Sequence, residues 1–299
     1  MLDTALLATL ATIVREGSFE RAARALHVTP SAVSQRVRLL EERVGTVLVV
    51  RGQPCTATEA GNRLCRHAET VALLEHDLRR ELPGLQDDAA AATRTTLRVA
   101  VNADSLGTWF VDALAGFTAG TGALVDVLID DQDHTSTWLR RGQVLAAVTS
   151  VAAPVQGCRS RKLGALRYRA TASPAFVAQW FAAGLTADSL AQAPSLVFDH
   201  KDQLQAQWAR RVLRRDVVLA AHRLPSSHAF VSAALAGVGW GMNPEPLVQE
   251  HLAAGRLVEL LPGRPLDVVL HWQVAQLQSP VLDQLTRHVQ MAAAAILAR

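Results

Sequence analysis

A chain of 299 residues, 49% hydrophobic and 19% charged, exceeds the usual span of one domain and has material for two or three compact units. It holds no run of 18 apolar residues free of charges and turn formers, so no membrane helix is expected. A net charge of +3 is compatible with a polyanionic partner, but where the charge sits matters more than its sum.

Met1-Leu2-Asp3-Thr4 lacks the positive start of a signal peptide, so a cytoplasmic location is expected. Leu6, Leu10, Ile13 and Val14 recur at helical spacing and predict a first helix that Gly17 ends. Ser18 is a fitting N-cap for a second helix with an apolar stripe of Phe19, Ala22, Ala23 and Leu26. His27-Val28-Thr29 reads as a turn, after which Thr29 caps a third helix and Pro30 takes its first position. In that helix Val33, Val37, Leu40 and Val44 share one stripe. Ser31, Gln35 and Arg38 lie opposite, with Ser34 at the edge. These residue types hydrogen-bond phosphates and base edges, so residues 19–38 read as a helix-turn-helix with its recognition helix last. Between Arg15 and Arg66 nine arginines stand against five acids, which concentrates the basic footprint on this segment. A plain three-helix bundle with solvated arginines is the alternative, but cap, turn and polar face all agree on DNA.

The run Ser18-Phe19, Ala22-Ala23, Leu26, Pro30-Ser31-Ala32-Val33-Ser34, Leu40-Glu41, Gly45, Leu48, Arg51, Thr58 and Gly61 resembles the N-terminal signature of LysR-type transcriptional regulators. The resemblance implies a winged helix-turn-helix over residues 1–62, with its wing near 50–57. The wing departs from the usual pattern, since Gly52-Gln53-Pro54-Cys55 offers no arginine after Arg51 for the minor groove. The DNA contacts expected on this basis are Thr29, Pro30, Ser31, Ala32, Ser34, Gln35, Arg36, Arg38 and Arg51. The expected partners are a double-stranded operator and RNA polymerase.

Next, Leu64, Val71, Leu78 and Leu85 repeat every seven residues, supported by Ala68, Leu74 and Leu82. They predict a single helix over 63–85 with a coiled-coil-like seam, ending near Pro83-Gly84. Such a seam needs a partner. The resemblance implies a linker helix joining two subunits, in a homodimer or homotetramer; packing on its own domain is the alternative. The polar, aperiodic stretch QDDAAAATRTT, 86–96, marks a module boundary.

Strands at Leu97–Val101, Leu124–Ile129 and Leu145–Thr149 alternate with helices at Ser105–Thr118 and Ser136–Arg141, which predicts a parallel sheet wrapped by helices. Ligands of such sheets bind beyond the carboxyl ends of the strands. Polar residues gather at those ends: Asn102-Ala103-Asp104-Ser105, Asp130-Asp131-Gln132-Asp133-His134 and Thr149-Ser150. Phe198-Asp199-His200-Lys201-Asp202 and Ser226-Ser227-His228 occupy similar junctions in a second α/β lobe, so a two-lobed cleft is expected. Ser105 and the N–H groups of the helix after it suit a carboxylate. Asp104, Asp131, Asp199 and Asp202 supply charge for a cation. An amino acid with a basic side chain meets both demands, whereas plain N-caps and solvated aspartates are the bland alternative.

The stretches VNADSLGTWF, IDDQDHT, KLGALRY, APSLVFDH and SSHAFVSAALAGVGWGM resemble the effector domain of the ArgP/LysG branch of the same family. This likeness implies a response to lysine or arginine and control of genes such as a basic-amino-acid exporter. It also implies strand crossings between lobes near Gly164–Thr171 and Pro265–Gln273. The expected fold is thus α/β, with a winged helix-turn-helix, a linker helix and a two-lobed, periplasmic-binding-protein-like effector domain over 93–299. Lobe I is 95–165 with 267–299, and lobe II is 166–266. The expected effector contacts are Asn102, Asp104, Ser105, Trp109, Asp131, Thr149, Asp199, His200, Ser226 and Ser227.

An enzyme is the rival class, but no nucleophile elbow, Walker loop, HExxH or dinucleotide fingerprint occurs in its proper context. Gly237-Val238-Gly239-Trp240-Gly241 follows an apparent helix and reads as a helix stop and turn. Cys55, Cys65 and Cys158, odd in number and without a CxxC pair, read as plain thiols. No catalytic residue, cofactor or metal is expected. A ligand-independent architectural DNA binder is the second rival.

Overall fold

The computed structural model describes residues 3–82 and 96–298. Its N-terminal unit comprises α1 (Thr4–Glu16), α2 (Phe19–Ala25) and α3 (Pro30–Val44), followed by a hairpin of β1 (Val49–Val50) and β2 (Thr56–Ala57). The punctuation is the one read from sequence. Gly17 ends α1 in the left-handed conformation, Ser18 Oγ accepts the Arg21 N–H, and Thr29 Oγ1 accepts the Ala32 N–H. Leu10, Ile13, Ala22, Val33 and Leu40 meet in one buried cluster. Val44, expected in the α3 stripe, is instead 37% exposed. It lies in the last turn before the Gly45 cap, and the buried residues that follow it are Leu48 and Val49 of the hairpin.

The long helix α4 (Glu59–Glu81) is capped by Thr58. A Cβ at Gly61 would stand 2.1 Å from the Leu48 carbonyl oxygen, so only glycine lets the helix start against the hairpin. Leu64 and Ala68 pack on the N-terminal cluster, but Leu74, Leu78 and Leu82 of the expected seam are 44%, 48% and 50% exposed. The buried face is a different one: Cys65, Glu69, Leu73 and Asp77, four residues apart. Leu73 enters the main core of the following module, and Asp77 Oδ2 accepts the Ser279 hydroxyl at 2.5 Å. Half of this face is polar, so a search for apolar heptads passes over it. Leu85, the expected helix end at Pro83-Gly84 and the boundary stretch up to 95 lie outside the described residues; Thr96 already belongs to a strand.

The C-terminal module begins with β3 (Thr96–Val101), a helical run from α5 (Ala103–Ser105) through a π turn at Leu106–Phe110 into α6 (Val111–Thr121), then β4 (Leu124–Ile129), α7 (Ser136–Arg140) and β5 (Ala146–Thr149). After β6 (Cys158–Ala172) come α8 (Pro174–Trp180), α9 (Ala187–Gln192), β7 (Ser195–Val197), α10 (Leu204–Leu213), β8 (Ala221–Arg223) and α11 (Ser227–Leu235). The chain closes with β9 (Gly241–Pro244), α12 (Glu245–Ala253), β10 (Val258–Glu259), β11 (Leu266–Ala275) and α13 (Pro280–Ile296). The main sheet runs β10-β6-β11-β5-β3-β4, with β9 also on β6, while β7 and β8 pair separately. Within the main sheet only β4, β3 and β5 are mutually parallel. The expected all-parallel sheet is therefore corrected to a mixed one, because the long strands β6 and β11 pair antiparallel and β5, β9 and β10 join them in that sense. Their ladder shifts register between Leu270 and His271, opposite Gly164. Trp109, Trp208, Trp240, Trp272, Tyr168 and Phe110 are the largest side chains of the core.

Glu69 of α4 sits 3.7 Å from Arg98 on β3. Burial pushes its carboxyl up to about 7 despite the guanidinium. A raised folded pKa means that the native state holds a proton that the unfolded chain releases near 4.5. This contribution to stability is therefore lost as pH rises from about 4.5 to 7, by up to about 1.4 kcal/mol per pH unit. Urea denaturation at pH 5 and pH 8 should show Glu69→Gln gaining stability relative to the native chain at the higher pH; an unchanged difference would place the carboxyl in water.

Candidate functional sites: a DNA-facing helix and a carboxylate-lined cleft

On α3, Ser31, Gln35 and Arg38 are exposed together with Thr29 and Pro30, while Ala32 and Ser34 are half-buried. Arg38 shares its guanidinium with Glu42 at 3.1 Å, an exposed pair one turn on, which leaves it free to exchange partners at little cost. Arg36 departs from the expected face. It turns toward Thr9 of α1, with Nη1 3.5 Å from the hydroxyl, because its position borders the Val33/Val37 stripe. Arg51 stacks over the Phe19 ring at 5.2 Å, so the hairpin's arginine lies against α2. Glu41, which the sequence signature contained without a role, fixes the hairpin: its Oε1 accepts the Leu48 N–H at 2.8 Å and the Val49 N–H at 3.4 Å.

The cleft is built at the carboxyl ends of β3, β4 and β5. The helix after β3 starts at Ala103 with Asn102 in the cap position, two residues before the expected start at Ser105. Asp104 therefore lies in the first turn, where the helix dipole favours an anion. Its Oδ2 accepts the Tyr168 hydroxyl at 2.8 Å and its Oδ1 the Ser227 hydroxyl at 2.5 Å. Burial raises the Asp104 pKa; the two hydroxyls oppose that rise, and Asp202 adds to it. No cation lies within ion-pair distance of it among the described residues.

Around Asp104 the carboxylates differ by environment. Asp131 is pushed up to about 6, first by burial and then by Asp133 and Asp202, against the Asp133 N–H and His134. Asp202 is raised by burial and Asp199, although the Phe198 and Leu204 N–H groups and Gln205 hold its charged form. Asp130 goes the other way: burial works against it, but Lys201, the Asp131 N–H and the Trp138 indole outweigh burial and hold it low. Asp104, Asp202, Ser227, Phe198, Leu204, Phe230, Met242 and Pro244 enclose a cavity of about 20 Å³. That is room for about one water molecule, so entry of an amino acid requires the walls to part.

The structure joins Asp104 and Ser227 directly, with Asn102 and Ser105 in the same segment as Asp104 and Asp131 in the loop after β4, near the same Tyr168. Asn102 and Ser105 are buried, and Asn102 Oδ1 and Ser105 Oγ have no hydrogen-bond partner among the described residues, which is a reserve of polar capacity. Four of the other expected contacts also have roles in the fold. Trp109 is wholly buried and packs edge-on against Phe110, since the helix turns it into the core. Thr149 donates to the Gln132 carbonyl at 2.9 Å. Asp199 Oδ1 closes its own loop by accepting the Lys201 and Asp202 N–H groups. Ser226 caps α11, and His200 is exposed. Sequence reasoning missed Tyr168, Asp130 and Lys201 as site residues. No local spacing links Tyr168 to Asp104, 64 residues away; being the chain's one tyrosine was its only distinguishing signal.

A capped helix-turn-helix, a long helix and a two-lobed module with a polar cleft define a DNA-binding regulator with a ligand-binding half. Residues 4–62 match the model of bacterial regulatory helix-turn-helix proteins of the lysR family and residues 90–294 that of the LysR substrate binding domain: the chain belongs to the LysR family of transcriptional regulators. Within the family it falls in the LysG/ArgP branch. The regulator LysG of Mycobacterium bovis is 45% identical over 295 residues, covering 99% of this chain and 95% of that protein. ArgP of Pseudomonas aeruginosa is 45% identical over 289 residues, covering 97% and 95%. Among solved structures, ArgP from Mycobacterium tuberculosis superposes with a TM-score of 0.82 at 44% identity, covering 100% of this chain and 99% of that one. Full-length LysG from Corynebacterium glutamicum with bound effector Arg gives 0.73 at 37%, covering 100% of both.

Tyr168→Phe leaves the Asp104 carboxylate with one hydroxyl donor and should cost about 1–3 kcal/mol of stability. The hydroxyl favours the charged form, so the cost should be larger at pH 8 than at pH 5 in urea titrations. Equal losses at both would mean that Asp104 does not change its protonation state between them.

Proposed function

We propose that this regulator binds free lysine or arginine in the cleft and adjusts transcription accordingly, with an amino-acid exporter gene as the target. The observation that carries the reading is Asp104: a carboxylate pressed upward by burial, held only by hydroxyls and neighboured by Asp131 and Asp202, gains most from an incoming cation. The helix start at Asn102–Ser105 takes the α-carboxylate, and Asp104 or Asp131 takes the cation. Asp199, already spent on its loop, ranks last. Arginine bound as effector in the C. glutamicum relative supports the reading over a ligand-independent architectural protein. The relatives are transcriptional regulators, which supports a non-catalytic role without cofactor.

The working complex on this reading is a homodimer or homotetramer on double-stranded DNA, in the cytoplasm and engaging RNA polymerase. The exposed row Leu74, Leu78 and Leu82 supports a second subunit along α4, since such a row is apolar surface left open. No described helix is long and apolar enough to cross a membrane. The modules are taken as 1–62, 63–85 and 93–299, with lobes divided at 165/166 and 266/267; the register shift between Leu270 and His271, opposite Gly164, supports a division near 165. Thr29, Pro30, Ser31, Gln35 and Arg38 are the DNA contacts with the best exposure, with Ala32 and Ser34 half-buried beside them.

Titration calorimetry of lysine, arginine and leucine tests the effector reading. Asp104→Asn should weaken lysine roughly 10- to 150-fold, one charge-assisted hydrogen bond lost, Asp131→Asn less and Asp199→Asn least. Leucine binding as tightly as lysine would end it. On DNA, Gln35→Ala and Arg38→Ala should each cost roughly 1–3 kcal/mol on the operator and less on random duplex; unchanged operator affinity at fixed salt would take α3 out of the groove.

A further inference from the structure

The loop after β7 sends Lys201 across the cleft. Its Nζ lies 3.1 Å from Asp130 Oδ1 at the end of β4, with the two side chains 33% and 18% exposed. Both ends are held. The Lys201 N–H donates to Asp199 Oδ1 at 2.6 Å. Asp130 accepts the Asp131 N–H at 2.8 Å and the Trp138 indole N–H at 3.0 Å. A carboxylate so supplied is charged and in place whether or not a ligand is present. The group it holds is an ammonium on a four-carbon stem, the same group a lysine ligand brings.

From this we infer that Lys201 is a tethered competitor. Its ammonium holds Asp130 and bridges the loops after β4 and β7, and a basic effector must displace it to enter, its side-chain cation shared between Asp130 and the Asp104 or Asp131 carboxylate. The inference rests on the basic-amino-acid reading. It assigns two residues, Asp130 and Lys201, as determinants of affinity and selectivity. Because the competitor is part of the chain, it acts at the high effective concentration of a short tether. Only the fraction of molecules with the pair open binds ligand, so the pair raises the apparent Kd. A neutral amino acid brings no side-chain cation to replace Lys201 and bears that cost in full, which gives discrimination without a dedicated clash.

The contested carboxylate also contacts α7 through the Trp138 indole. Trp138 belongs to α7, and at the far end of that helix Arg66 of α4 donates to the Arg140 carbonyl at 3.2 Å. Gly142 makes room for it: a Cβ there would lie 1.8 Å from Arg66 Nε, and its φ is +67°. One short helix thus contacts the contested carboxylate and the helix leading to the DNA-binding unit.

The test is calorimetry on the full chain with L-lysine, L-arginine and L-leucine. Lys201→Met should tighten lysine and arginine roughly three- to tenfold, the range for a partly exposed pair, and Lys201→Arg should stay near the native value. In an Asp130→Asn background the gain from Lys201→Met should vanish, with circular dichroism confirming that each variant is folded. An unchanged or weaker affinity in Lys201→Met, or a gain that survives Asp130→Asn, overturns the competitor. Absence of lysine and arginine binding in both the native chain and Lys201→Met overturns the basic-amino-acid reading with it.

Discussion

The antiparallel ladder of β6 and β11 is the constraint on which the C-terminal module depends. Its register runs from Leu266 opposite Tyr168 to Ala275 opposite Cys158. Strand β5 continues the sheet from one half of the ribbon, and β9 and β10 continue it from the other. Two strands that belong to both lobes tie them without fixing their angle. The ladder slips by one residue opposite Gly164, where the C-terminal Ala298 is hydrogen-bonded to Ala165 in both directions. Local irregularity in a ladder is where a sheet bends, so the cleft has a continuous floor and a place to flex.

What fills the cleft follows from the strand ends. Parallel strands β3, β4 and β5 deliver their following loops to one edge, where the loops after β3 and β4 carry aspartates and the loop after β7 adds Asp202. Brought together, like charges raise one another: Asp104, Asp131 and Asp202 are each pushed upward by burial and a neighbouring carboxylate. Asp130, with an ammonium in contact, is pushed down. Four carboxylates of one residue type are thus sorted by environment into those that lack a cation and one that has it. This sorting separates a binding cleft from a merely acidic surface.

The linker helix serves two surfaces at once. Cys65 packs in the N-terminal cluster and Glu69, Leu73 and Asp77 face the chain's own C-terminal module, while Leu74, Leu78 and Leu82 remain open. The choice between a seam for a partner and a face for its own domain is not exclusive, because a helix of 23 residues has more than one face. The buried polar contacts, Asp77 with Ser279 and Glu69 beside Arg98, make the joint specific where apolar packing alone would let the helix slide.

The N-terminal unit was legible in the sequence almost to the residue, because its signals are local: Gly17, Ser18, Thr29 and Pro30 act on their own helix ends, and the Val33/Val37/Leu40 stripe repeats within one helix. The same locality read the strands of the first lobe and the polar loops after them. Residues whose role depends on distant partners were not legible. Trp109 went to the core, Arg36 to α1 and Asp199 to its own loop, while Tyr168, Asp130 and Lys201 entered the cleft. Sequence spacing encodes which side chains share a helix face or strand end, but an ion pair between residues 71 apart exists only once the tertiary fold has closed the gap. The pKa order of the aspartates is likewise set by burial and neighbours, and only packing supplies those.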